Sequence, residues 1–253
     1  SSIYKSYLGL VNQNSIGIIS AENLELPRSI WEGPNESELV NILKNFPKLK
    51  FLEGNIILKK LLIAEAKSPK ISNSTDEFLA QRIFSLIELG ALEESDAILS
   101  MINPKSALLM TAWENTAFLS GRIEEFCDII LSTATIEINQ LTRIICLAHR
   151  NEWETASFIL NSSATLNTLD TTHQDLLMLY LDPEYKTSLK LGSVEELTPT
   201  INYLKKVLLL DIEKSELPIK YHFLDLNDKY DKEKRLRAKI RYAKSGIIPF
   251  TQI

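Results

Sequence analysis

The chain has 253 residues, 45% hydrophobic and 24% charged, a balance that excludes global disorder. A net charge of −5 and an isoelectric point near 5.4 give no general reason to expect nucleic acid. Eight Gly and nine Pro are too few for a β-sandwich or barrel of many tight turns, and no apolar run approaches the ~18 residues that span a bilayer. Beginning at Ser1 rather than Met, the chain is expected to have lost its natural N-terminus, by signal-peptide cleavage or by trimming.

Residues 1–10 suit a short helix, and residues 11–27 read as loop, with scattered Asn, Ser and Gly. Ser29 to Gly33 looks like one turn whose Trp31 docks on the body. Asn35 with Glu38 three residues on predicts a capped helix that stops before Pro47. A second helix is expected over 54–66, where Ile57, Leu58, Leu61, Leu62 and Ala64 fall mostly on one face. Ser74 and Glu77 form a capping box for a helix over 76–89. Further helices are expected over about 92–101, 105–120, 123–133, 138–150 and 152–161, with a stop and restart at Asn103-Pro104.

Beyond Asn161 the pattern weakens. A helix is expected over 171–181, followed by Asp182-Pro183 where another Gly-type turn would stand. Thr198-Pro199 is a strong helix start, with Thr as N-cap and Pro at the first position. Pro218 opens a short helix to about Asn227, and Asp231 caps the last one, which ends at Gly246. No segment shows convincing period-two alternation, although 189–191 and 247–250 are short enough to be ambiguous.

One phrase occurs three times between Arg82 and Leu160. Gly90, Gly121 and Asn151 are spaced 31 and 30 residues apart, so they read as equivalent turns. Each is followed two positions later by an apolar anchor (Leu92, Ile123, Trp153) and then by an apolar pair (Ile98-Leu99, Ile129-Ile130, Ile159-Leu160). A fixed period of this size marks helical hairpins that bury their apolar faces by stacking. The three anchors are therefore expected to be buried.

This helix–turn–helix phrase resembles tetratricopeptide-like α-solenoids over residues 75–185. The whole chain is similar to uncharacterised Leu/Ala-rich helical-repeat proteins of bacteria. The 30–31 spacing is shorter than the 34-residue tetratricopeptide unit, and the Trp and Tyr of that consensus are missing from the first helix of each unit. The resemblance implies a protein-binding scaffold with no chemistry of its own. The expected class is all-α, in three parts: 1–73, an irregular segment with two helices; 74–185, the hairpin stack; and 186–253, a helical cap.

No catalytic, cofactor or metal site is expected. His149, His173 and His222 have no Cys or His at ligand spacing, and no nucleophile elbow, phosphate-cradling loop or dinucleotide fingerprint is present. The acidic pairs Glu93-Glu94, Glu124-Glu125 and Glu195-Glu196 sit at helix starts, where they complement the helix dipole. Trp113, Phe118, Phe126, Trp153 and Phe158 are spaced like core residues. Tyr180 and Tyr185, beside the degenerate fourth unit, are the candidate partner-facing surface.

Cys127 and Cys146 are the only cysteines, at similar heights on helices expected to be antiparallel neighbours. Two readings stay open. They are buried thiols acting as small apolar fillers, or a disulfide worth roughly 3 kcal/mol, which would place the chain in an exported compartment such as a bacterial periplasm and not the cytoplasm. Residues 229–246 carry eight Lys/Arg against Asp231 and Glu233. Lys234, Arg237 and Arg241 make a basic face, while Leu236, Ile240, Ala243 and Ile247 make a narrow docking stripe. A capping helix that satisfies an acidic body is the preferred reading. Binding of nucleic acid or an anionic membrane is the alternative, as is an enzyme with a diffuse site.

Overall fold

A computed structural model describes residues 13–46, 52–70, 76–102, 104–133, 138–182, 184–185, 197–210, 217–227 and 231–252. The described chain is mostly helical. Its eleven α-helices are α1 (Glu36–Lys44), α2 (Leu52–Ile63), α3 (Glu77–Leu89), α4 (Leu92–Ser100), α5 (Ala107–Ser120), α6 (Glu124–Ser132), α7 (Gln140–His149), α8 (Trp153–Thr165), α9 (Thr171–Leu181), α10 (Pro199–Val207) and α11 (Lys232–Lys244).

The helix starts follow the capping residues. Asn35 accepts from the Glu38 amide at 2.9 Å, and the Glu38 carboxylate accepts in return from the Asn35 amide at 3.1 Å. Asp170 and Thr198 accept from the amides of His173 and Ile201, and Pro199 occupies the first position of α10. The expected box partner Ser74 lies outside the described residues, as do Pro183, Glu195 and Glu196. The segment from Pro218 to Asn227 forms two 3₁₀ turns, Ile219–His222 and Leu224–Asn227, in place of one helix.

Gly90, Gly121 and Asn151 stand in turns between helices with φ of 80°, 75° and 63°. After Gly90 and Asn151 the amides reach back to the last helical carbonyls in paired 6→1 and 5→2 bonds. Ala91 bonds Leu86 and Gly90 bonds Ile87; Glu152 bonds Leu147 and Asn151 bonds Ala148. Asn is the residue after Gly that best tolerates this left-handed conformation, which is why Asn151 can stand in a glycine's place. α8 runs four residues beyond its expected end because the stop is supplied by a second left-handed asparagine, Asn167.

The chain divides into two compact units. One comprises the residues up to Trp113 together with those from Lys232 onward, and the other Glu114–Asp231. They cut across the three segments read from the sequence, since the division falls within α5 and the last helix belongs with α1–α4.

In the first unit α3 packs on α1, α2 and α4, and Phe78, Leu79, Ile83, Leu86 and Ile87 of α3 are buried. Among them sits a fully buried Arg82. It donates to the carbonyls of Leu62 at 2.7 and 3.1 Å, Ala64 at 3.0 Å, Ile16 at 2.8 Å and Asn14 at 3.3 Å. Its guanidinium lies 5.8 Å from the Trp31 ring and 5.7 Å from Phe78. Thus Trp31 does dock on the body, edge-on to Phe78. Two of the acceptors are at the carboxyl end of α2, where the helix dipole favours a cation.

The chain is mostly helical, and one short ladder was not expected from the sequence. Ile19–Ser20 and Ala64–Glu65 form a two-residue parallel ladder, β1 and β2, so α2 stops at Ile63. Gly17 makes this approach feasible, because a Cβ there would lie 2.1 Å from the Glu65 amide nitrogen. The carboxyl end of α11 closes on α2 through Asn55 and Lys59, which donate to the carbonyls of Ser245 (3.1 Å) and Ile247 (3.0 Å).

In the second unit α7 packs on α6, α8 and α9, and α9 packs on α10. Phe118 meets Phe126 and Tyr203 edge-on, at 6.2 and 5.4 Å between ring centres.

Candidate functional site

Polar chemistry in the second unit gathers where α10 meets the 3₁₀ turn after Phe223. Asp225 is buried and accepts from the Lys206 ammonium at 2.5 Å, with His222 Nδ1 at 3.4 Å from its other oxygen. The pairing is local, since His222 at the end of one 3₁₀ turn and Asp225 in the next are three residues apart, which sets imidazole and carboxylate side by side. A carboxylate held between an ammonium and an imidazole is a cross-link, and it joins two segments 19 residues apart. One turn earlier on α10, Asn202 is wholly enclosed with neither amide atom hydrogen-bonded. His173 pairs locally with Asp170, and His149 is exposed at the end of α7. Among the described residues no group of three or more His, Cys, Asp or Glu side chains is placed to hold a metal.

Cys127 and Cys146 are joined, with Cα atoms 5.0 Å apart across the seam between α6 and α7, and both are fully buried. Of the two readings left open by the sequence, the structure presents the disulfide. Nearby, Thr142 donates to Glu114, whose carboxyl is raised above the usual range by burial and only partly restored by that bond.

The tyrosines chosen as a partner surface have their hydroxyls engaged within the chain. Tyr180 is half-buried and hydrogen-bonded to Tyr203; burial raises both phenols, Tyr203 further. Tyr185 donates to Asp175 at 3.0 Å, which raises its phenol too.

The larger apolar surface of this unit is on α8 and its C-cap, and includes Trp153 and Phe158, which the sequence assigned to the core. Phe158 is 72% exposed, Trp153 43% and Leu166 70%, whereas the other two anchors, Leu92 and Ile123, are buried as expected. The buried face of α8 is Ala156, Leu160 and Ser163. Phe158 falls on the opposite side, two residues from either neighbour in that row. Trp153 does lie in line with Ala156 and Leu160, as Leu92 does with its own row. Both stand at the first position of their helix, where a side chain leans beyond the helix start; Leu92 is covered there, whereas the larger indole of Trp153 is only partly covered. Ile129 is likewise exposed while its neighbour Ile130 is buried.

In the first unit, α11 buries Ala238, Tyr242 and Ala243, with Ile247 just beyond. The expected docking stripe is therefore corrected at one end, since Leu236 is 45% exposed. The seam is filled instead by Tyr242, fully buried, with the small Ala238 one turn before it, and Leu236 lies at the edge of that face. Arg237 pairs with Glu233, and Arg237 and Arg241 are exposed, while Lys234 is half-buried.

Arg82 and Tyr242, which organise the first unit, were not singled out from the sequence. The available signal was an arginine flanked by Phe78, Leu79, Ile83 and Leu86 at helical spacing. No protein-family model, curated protein or solved structure matches the chain. The mostly helical class rests on the structure itself, and no helix among the described residues is long and apolar enough to cross a membrane.

Proposed function

We propose that the chain is a non-catalytic protein-binding scaffold whose hairpins stack in the manner of a tetratricopeptide-like solenoid. The observation that carries this reading is the row formed by Phe158 and Ser162 on α8 and Leu166 at its C-cap, spaced i, i+4 and i+8, with two large apolar side chains at least 70% exposed. Residues at this spacing form a ridge of the kind that a partner helix receives in a groove. Covering such a side chain contributes about 1.5–3 kcal/mol. Two further features support the stack. The left-handed turns recur at 30–31 residues, and α7 packs on both α8 and α9, as the first helix of a hairpin does with the hairpin that follows.

The test is affinity purification from the native host with mass-spectrometric comparison of the wild-type chain and a Phe158→Ser/Leu166→Ser variant. Both side chains are exposed, so the variant should keep its helical circular dichroism and melting temperature. Specific partners should be captured by the wild type and lost by the variant. Identical captured sets would sink the reading.

A further inference from the structure

We propose that the exposed face of α11 binds an anionic phospholipid surface. The chain's net acidity is not shared by its two units. Glu114–Asp231 holds 19 acidic and 10 basic residues, whereas the remainder of the chain holds 14 acidic and 18 basic. Most of the acidity that speaks against an anionic partner belongs to the second unit, whereas α11 belongs to the first, whose other residues are close to balance with 13 acidic and 11 basic.

On α11, Lys234, Arg237, Arg241 and Lys244 follow one another at spacings of three, four and three residues, along one stripe. Arg237, Arg241 and Lys244 are exposed. The ion pair of Arg237 with Glu233 lies between two largely exposed side chains, and such a pair is easily exchanged for a phosphate contact. Beside this stripe Leu236 is exposed and Ile240 half-exposed, so cations and aliphatic groups share one surface. Further exposed apolar side chains belong to elements that meet α11. Phe250 is in the closing 3₁₀ turn that packs on it, and Ile56 and Ile57 are on α2, where Ile56 approaches Gly246.

Charge alone would fit nucleic acid equally, and the neighbouring side chains decide between them. A lipid interface accepts aliphatic groups between its headgroups while phosphates meet the cations. A nucleic-acid contact would use aromatic side chains for stacking or Asn and Gln for base edges. On α11 itself the one aromatic residue, Tyr242, is fully buried and there is no Asn or Gln; of the exposed apolar side chains named around it, Leu236, Ile56 and Ile57 are aliphatic and Phe250 alone offers a ring, so the surface is weighted towards lipid.

The experiment is co-sedimentation of the full chain with phosphatidylglycerol/phosphatidylcholine vesicles and with pure phosphatidylcholine vesicles, at low and physiological salt. Duplex DNA and single-stranded RNA serve as competitors. The expected result is binding to the anionic vesicles only, weakened by salt. Arg237→Glu/Arg241→Glu should reduce it at least about tenfold, and Leu236→Ser should reduce it with the charges intact. Circular dichroism and melting confirm folding, and Lys244→Glu serves as a second charge variant should the first pair fail to fold. Three outcomes overturn the proposal: no binding to anionic vesicles at low salt, equal binding to both vesicle types, or competition by nucleic acid with Leu236→Ser indistinguishable from wild type.

Discussion

Arg82 shows how a single side chain can hold a fold together without an acidic partner. Burial pulls its pKa down to about 10, so it remains charged at neutral pH. Its donors meet only backbone carbonyls, drawn from α2, from the start of β2 and from the segment before β1. Arg82→Met would match its apolar reach but leave those carbonyls without this donor; urea denaturation should show a loss of about 3–5 kcal/mol. Glu114 is the opposite case, a partly buried carboxyl whose pKa is raised by that burial. A folded-state pKa above the unfolded value makes ionisation unfavourable to folding. Stability should therefore fall as pH rises from the ordinary glutamate range through the raised value. Glu114→Gln keeps an acceptor for Thr142 and removes the charge. It should be more stable than wild type at pH 7 and show a flatter acid limb; an unchanged pH profile would mean that the carboxyl is effectively solvated.

Helices and their turns are the scale at which local chemistry can be tested against packing. Gly121 has φ of 75°, and a Cβ there would come within 2.8 Å of a Leu224 methyl carbon. Gly121→Ala should cost about 1–2 kcal/mol, while Asn151→Gly at the equivalent turn should change stability by less than about 0.5 kcal/mol. Equal costs at the two sites in chemical denaturation would contradict the shared turn geometry. The α6–α7 disulfide makes a second prediction at this scale. Closing a loop with a sequence separation of 19, it should contribute about 3 kcal/mol, visible as a lower denaturation midpoint in reductant. Native material should be two hydrogens lighter than its reduced form in intact-mass measurement. Free thiols on freshly isolated protein would instead return the pair to the role of buried fillers.

At the scale of the whole molecule, the two units draw on different parts of the chain, and the first is closed by contacts between residues nearly 190 positions apart. Removing residues 232–252 deprives Asn55 and Lys59 of their carbonyl partners and uncovers the seam filled by Tyr242. Hydrogen exchange should then show lost protection in α1–α3, with α6–α9 retaining theirs; equal loss in both sets would mean that the closure is not local to the first unit.

Most helices, two N-caps and three left-handed turns were legible from the sequence because each is set by residues within about one turn of one another. Asn35 and Glu38, Thr198 and Pro199, and Gly90 and Gly121 carry their instruction locally. What the sequence did not reveal lies between distant segments. The β1–β2 pairing needs Gly17 beside Glu65, Arg82 needs acceptors 18 to 68 residues away, and the docking face of α11 turns on how deeply Tyr242 enters. Phe158 and Leu236 illustrate the same boundary. Periodicity established that each lies on an amphipathic helix; which side of that helix is covered depended on what packed against it, and only the tertiary structure decided that.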